Sequence, residues 1–230
     1  LIWYRDKYYK KNYFMKKAFF SIALAALTVA SCSRDNDDST PIPNQEQTNP
    51  NLKLVKDLDA SNASEWKYFS FASGTIVQVA NPSTDLTWDI AFNRYNIRTN
   101  GGTSGSGQGG VIRTESKNLS EVTSVPSGTY TADEMKTTHT YANGRPTSST
   151  TSLNSVISGD INTTTGWWSY TPPTSQTGQP KFAVNNWVYI VKTADGKAAK
   201  IQLTSYNHST RNTTGFITFK YQVADSNNKF

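Results

Sequence analysis

One cysteine, two histidines and two methionines supply all the sulfur and imidazole in 230 residues. A lone cysteine, Cys32, forms no intramolecular disulfide, so the fold must stand on its core. His139 and His208 sit in no H-E-x-x-H or Cys/His spacing, which excludes the common zinc patterns. No G-x-S-x-G elbow occurs, and the carboxylates are scattered rather than paired. The chain offers no catalytic constellation, and the expectation is a protein that is not an enzyme. Long helical periodicities are missing too. Thr, Ser, Asn, Gly and aromatic residues abound instead, and they favour an all-β class.

The formal charge of +6 belongs to the N-terminus. Six Lys/Arg and one Asp lie in residues 1–31, and without them the charge falls to +1. No basic patch is left for a nucleic-acid partner. Residues 1–14 precede Met15 and read as an upstream mis-start. From Met15, MKKAFFSIALAALTVASC has two lysines, an apolar run and small residues, the pattern of a signal peptide over 15–31. The run Ala18 to Ala30 is short for a spanning helix. Val29-Ala30-Ser31-Cys32 resembles a lipobox, with Cys32 as the lipidated residue and acyl chains as the membrane attachment. Residues 32–51 are acidic, then rich in Pro, Asn and Gln, and read as a disordered tether. An acidic run behind a lipidated cysteine resembles a signal for the outer face of the outer membrane. The β domain is expected over 52–225, with a tail at 226–230.

Within that domain, Trp88, Ile90 and Phe92 alternate with Asp89, Ala91 and Asn93, a half-buried strand. Beyond Phe92 the apolar parity shifts to Tyr95 and Ile97, which predicts a bulge near Asn93 or Arg94 in one strand from Trp88 to Arg98. The glycine-rich stretch that follows lacks the Lys-Ser/Thr and the helix of a phosphate loop, and Val111 to Arg113 reads as a strand. It is read as a tight backbone passage using positive φ. Ser73-Gly74 joins two strand-like segments, and Asn118-Leu119-Ser120-Glu121-Val122 is the best short helix. Thr131 to Gly166 is long and poor in large apolar groups, with Asn143-Gly144 as a hairpin tip, and such excursions are often functional.

The C-terminal third is plainer. Trp187 to Val191 is apolar on both parities, a strand buried on two faces. Asp195-Gly196 suits a type I′ turn. Ile201 and Leu203 should point inward, opposite Lys200, Gln202 and Thr204. Ile217, Phe219, Tyr221 and Val223 form one face of the last strand. The domain is large enough for a β-sandwich or a two-layer sheet structure. One aromatic group stands apart. Trp167, Trp168 and Tyr170 adjoin Pro172-Pro173 and could stack on a porphyrin or a sugar.

The segments EWKYFSF, TWDIAFNRYNIRTNGG, NNWVYIVKTADGKAAKIQLTSY and GFITFKYQ, in that order, resemble the HmuY family of haem-binding surface lipoproteins. The resemblance spans Leu54 to Val223. It implies a mostly antiparallel β fold and haem held between two extended loops, with one His or Met axial ligand from each. Those loops correspond to Thr138–Ser149 and Ser169–Gly178. The family's ligand positions fall on Gly144 or Arg145 and on Thr171 or Pro172, none of which binds iron. The nearest substitutes are His139, Met135 and Tyr141 on one side and Tyr170 on the other, and His208 lies away from both loops. Two functions follow as expectations. One is a haemophore-like lipoprotein taking haem or a related porphyrin, with a host haemoprotein or an outer-membrane receptor as further partners. The other is a lipoprotein on the same scaffold that binds a glycan, another planar ligand or a protein.

Overall fold

The computed structural model describes residues 49–142, 145–161, 163–171 and 181–230, with backbone alone at 140–142 and 145–146. Thirteen strands are described. They are β1 (Lys53–Asp59), β2 (Lys67–Ser70), β3 (Thr75–Val77), β4 (Ile90–Asn93), β5 (Asn96–Thr99) and β6 (Gly110–Arg113), then β7 (Glu134–Ala142), β8 (Arg145–Leu153), β9 (Trp168–Thr171), β10 (Lys181–Val184), β11 (Val188–Lys192), β12 (Ala198–Asn207) and β13 (Thr214–Val223). The protein is all-β and antiparallel. A five-stranded sheet runs β1-β13-β12-β11-β6 and a four-stranded sheet runs β3-β2-β4-β5, with two-stranded pairs β7-β8 and β9-β10.

The two larger sheets meet through aromatic rings. Phe69 and Phe92 pack on Phe219 at centroid distances of 5.3 and 5.4 Å, and Phe69 packs edge-on against Tyr221 at 5.6 Å. Each is buried, as are Ile90, Ile97, Tyr189, Ile201 and Ile217. Period-2 alternation puts these side chains on the facing surfaces, and burying each stabilises the fold by roughly 1.5–3 kcal/mol.

The expected strand from Trp88 to Arg98 is two strands. Asn93 pairs with Asn96, so Arg94 and Tyr95 form a two-residue hairpin turn and not a bulge. Arg94 takes φ +52, a strained value for a residue with a Cβ. The neighbouring 60–65 segment holds it there. Arg94 N donates to Ala60 O at 2.8 Å, and Asn93 Nδ2 donates to Ala63 O and Glu65 O, each at 2.9 Å.

The glycine-rich passage wraps Asn100. Its Nδ2 donates to Asp85 O and Trp88 O, and its backbone O accepts from Gly109 N at 2.7 Å. A Cβ on Gly101 would stand 2.1 Å from Gly109 O, and one on Gly105 would stand 2.1 Å from Asn100 Oδ1. Close approach, rather than positive φ, requires glycine there; Gly102 is the exception, at φ +60. Asp89 ties this region to the far turn. Its Oδ1 accepts from Ala194 N at 2.9 Å and its Oδ2 from Phe71 N at 2.8 Å.

Lys200 and Gln202 do not face solvent. They lie under the 117–122 segment, whose short 3-10 turn (Leu119–Glu121) is capped by Asn118. Lys200 Nζ donates to Leu119 O at 2.9 Å and Val122 O at 3.0 Å, and Gln202 Nε2 donates to Lys117 O at 2.7 Å. The five-stranded sheet is therefore covered on its second face too. Residues 226–230, expected as a tail, bond to the 123–125 segment: Phe230 N donates to Thr123 O, and Val125 N to Asn228 O. The Asp195-Gly196 turn has positive φ at Gly196 alone, with Gly196 N bonded to Thr193 O. That is a type I turn with a glycine bulge, not type I′.

Candidate functional site

The region expected to form the first loop is largely strand. β7 and β8 pair in register from Glu134↔Leu153 to Ala142↔Arg145, so Thr138–Ser149 belongs to a hairpin whose tip, Asn143-Gly144, lies outside the described residues. Tyr141 pairs with Pro146 through the backbone, and its side chain is outside the described set. Met135 is exposed on the same strand.

His139 is exposed to 46% and faces Asp160, whose side chain is 17% exposed. His139 Nδ1 lies 3.1 Å from Asp160 Oδ2, and His139 N donates to Asp160 Oδ1 at 3.3 Å. A carboxylate beside Nδ1 orients the ring and leaves Nε2 outside that contact. That is the arrangement seen behind metal-bound histidines in general. His208 is elsewhere, edge-on to Phe216.

The second expected loop opens as strand β9. Ser169, Tyr170 and Thr171 pair with Ala183, Phe182 and Lys181 of β10, and residues 172–180 lie outside the described residues. Trp167 and Trp168 do not present open ring faces. Both are at most 2% exposed and belong to the core. Trp167 Nε1 donates to Tyr95 O at 2.9 Å. Trp168 packs on Tyr95 at 5.0 Å and stacks on Phe182 at 5.2 Å, with 16° between the planes. Phe182 also reaches Tyr206 at 5.0 Å and Trp167 at 6.1 Å. Tyr170 is half-buried against the hydrophobic core.

The histidine and the aromatic cluster are neighbours. Gly159 precedes Asp160, and a Cβ built on it would stand 3.3 Å from Trp168 Nε1. The turn from Ser158 to Asp160 thus carries the carboxylate on one side and touches the indole on the other. Ser158 anchors it, donating from Oγ to Ile97 O at 2.7 Å and accepting from Ile97 N at 2.8 Å. Asp160 and its turn link His139 to Trp168, and Tyr95, Phe182 and Tyr206 pack about Trp167 and Trp168. Sequence reasoning missed Tyr95, Asp160, Phe182 and Tyr206. Tyr95 looked like a strand residue, and Asp160 lies 21 residues from its histidine.

The buried carboxylates are structural. Desolvation pushes Asp89 and Asp133 above the usual range, against the hydrogen bonds each accepts. Asp133 accepts from Thr99 N, Thr99 Oγ1, Ser104 Oγ and Asn154 Nδ2, which leaves no oxygen for chemistry. Among the described residues, no group of three or more His, Cys, Asp or Glu side chains is placed to hold a bare metal ion.

Comparison with known proteins gives one family. The family described as HmuY protein matches residues 62–221. Three solved structures are similar over most of their length. One, described as an HmuY-like haem-binding protein of Bacteroides vulgatus, is 22% identical with a TM-score of 0.53, over 75% of this chain and 91% of its own. A second, described as a lipoprotein of Bacteroides fragilis, is 25% identical with a TM-score of 0.55, over 76% of this chain and 92% of its own. The third is the apo form of an HmuY analogue from Tannerella forsythia, 20% identical with a TM-score of 0.52, over 76% and 95%. No curated protein matches the chain.

Proposed function

Because the chain belongs to the HmuY family, a family of binding proteins, we propose that it is an outer-membrane lipoprotein of the cell surface that binds haem or a related porphyrin. The observation that carries this reading is His139. Its Nδ1 lies 3.1 Å from Asp160 Oδ2, in a turn that reaches Trp168, so Nε2 would be the nitrogen offered to a ligand. A haem iron accepts such a nitrogen. His139 would hold the iron of such a porphyrin by one nitrogen. The second family position, Thr171 or Pro172, supplies none. Bound haem would supply redox-active iron. The chain's own part is to hold the ring by apolar burial and to keep the imidazole oriented.

Membrane attachment falls to Cys32. Residues 15–31 carry the leader pattern, and no helix among the described residues is long and apolar enough to cross a membrane. Mass spectrometry of the membrane-extracted protein should give a chain that starts at a diacylated Cys32. An unmodified cysteine refutes the anchor. A host haemoprotein or an outer-membrane receptor completes the reading as the donor or acceptor of the haem.

A titration with haemin decides the ligand. Saturable 1:1 binding with a shifted Soret band is expected. His139→Ala should move the band while metal-free porphyrin still binds, because ring burial does not need the iron. An unchanged free-haemin spectrum with wild type sinks the haem reading and turns attention to a glycan or another planar ligand.

A further inference from the structure

The connection between β12 and β13 closes on a histidine. His208 Nδ1 accepts from Thr210 N at 3.2 Å and from Arg211 N at 3.3 Å, and Thr210 Oγ1 lies 3.4 Å from it. A ring nitrogen that accepts carries no proton, so this turn requires the tautomer with its hydrogen on Nε2. The loop is tight. His208 N donates to Thr213 O at 3.0 Å, and Thr213 N donates to Arg211 O at 2.8 Å. An Asn or Asp side chain commonly plays this part, accepting from the backbone two residues on. Those side chains keep their acceptor in mild acid. An imidazole does not.

The neighbours decide what can move. From β1, Asp57 accepts from Ser209 N at 2.8 Å, and Ser209 Oγ donates to its other oxygen. The Ser209 hydroxyl is the first cause that holds the Asp57 carboxyl below its usual range. Ser209 therefore stays anchored in mild acid. From β13, Phe216 stands edge-on to the imidazole at 4.9 Å and carries Arg211 over its face at 5.0 Å. The charged groups about the loop are Asp57 facing His208, Lys56 beside Asp57, and Asp59 facing Arg211.

We propose that His208 is an acid-operated latch on the loop between β12 and β13. Protonation turns Nδ1 from an acceptor into a donor, aimed at two N–H groups. Thr210 and Arg211 then lose their acceptor, and residues 210–213 open about the anchored Ser209. Asp57 attracts the imidazolium and keeps it at the base of the loop. The opening uncovers Phe216, which the closed loop keeps at 9% exposure. Proton binding and the closed turn exclude each other at one atom, so falling pH favours the open loop by linkage. The latch is independent of what the protein binds.

Heteronuclear NMR of the isotope-labelled protein tests it. At about pH 8 the ring nitrogens of His208 should report the Nε2–H tautomer. On titration to about pH 5 the amide protons of Thr210 and Arg211 should shift upfield, with the midpoint of the imidazole itself. His208→Asn keeps an acceptor that does not titrate, so its Thr210 and Arg211 amides should stay in place over that range. His208→Ala has no acceptor and should show the open positions at both ends of it. Amide signals outside residues 207–214 show whether each variant is folded. The tautomer and the titration are read on wild type, so a variant that fails to fold does not remove the test. An Nδ1–H tautomer at the basic end overturns the proposal. So does a wild-type titration in which the Thr210 and Arg211 amides do not follow the imidazole, or move no more than those of folded His208→Asn.

Discussion

Replacing Asp89 by asparagine takes one acceptor from a carboxylate that joins the two sheets. Oδ1 serves Ala194 in the turn between β11 and β12, and Oδ2 serves Phe71 just after β2. The amide can accept from one of these N–H groups and must point its own N–H at the other. A buried donor left unpaired costs about 1–3 kcal/mol, and the surviving bond loses its charge assistance. Neutralising a buried carboxylate returns part of that. The net expectation is about 2–4 kcal/mol of lost stability at neutral pH, a large share of the roughly 5–15 kcal/mol typical of a domain. Urea unfolding followed by tryptophan fluorescence measures it, with the slope m unchanged. The pH dependence has a definite sign. Burial, the largest influence on Asp89, raises its folded pKa above the unfolded value. The folded state therefore holds the proton over that window, and wild type gains relative to Asp89→Asn as pH falls through the carboxylate range. The gap should widen in acid, because a protonated oxygen keeps a lone pair for its N–H and an amide nitrogen does not. A difference within about 0.5 kcal/mol at neutral pH would refute the joining role, since that is the size of an ordinary surface substitution. A gap that narrows in acid would refute the dominance of burial.

Trp167→Ala empties a buried site and breaks the bond to Tyr95 O, so a loss of about 3–5 kcal/mol is expected in the same unfolding assay. A Trp167→Ala, Trp168→Ala double variant is thus a poor probe of binding. Lys200→Met leaves Leu119 O and Val122 O without their donor while removing a buried ammonium, whose pKa desolvation lowers. Amide exchange should then quicken in the 117–123 segment while the β12–β13 pairing stays protected. Asp195 is held down to about 2, first by its bond to Lys197 and then by Thr193. Its contribution is present above the unfolded value and is lost as pH falls toward about 2, so Asp195→Asn should flatten the acid limb of thermal stability.

The pairing period was plain in the sequence, and the strands that follow it were too. Ile201 and Leu203, and the Ile217 to Tyr221 face, are buried as the alternation requires. Where the alternation broke, its cause did not show. The parity change after Phe92 could be a bulge or a turn. The turn places its positive φ on Arg94, where turn chemistry would put Asn or Gly. What holds it is Asn93 and Arg94 bonded to a loop about 30 residues earlier. Lys200 misleads in the same way. Alternation gave its face correctly, but the segment that covers that face comes from about 80 residues away.

The site repeats this lesson in its chemistry. Residue type singles out His139 and the paired tryptophans as candidates, because few groups bind iron and few offer a large flat ring. Residue type cannot tell a ring that faces solvent from one that faces the core. Trp167 and Trp168 are buried because Tyr95, brought round by the strained Arg94 turn, and Phe182, brought across by β10, close over them. The same folding supplies Asp160 to His139. The motif TWDIAFNRY, which carries the resemblance, is thus chiefly a scaffold. Asp89 joins two sheets, Asn93 and Arg94 fix the turn, and Tyr95 forms part of the aromatic cluster. One scaffold can in this way keep its fold while other segments vary, because the groups that join its sheets and fix its turns lie on the segments that carry the resemblance.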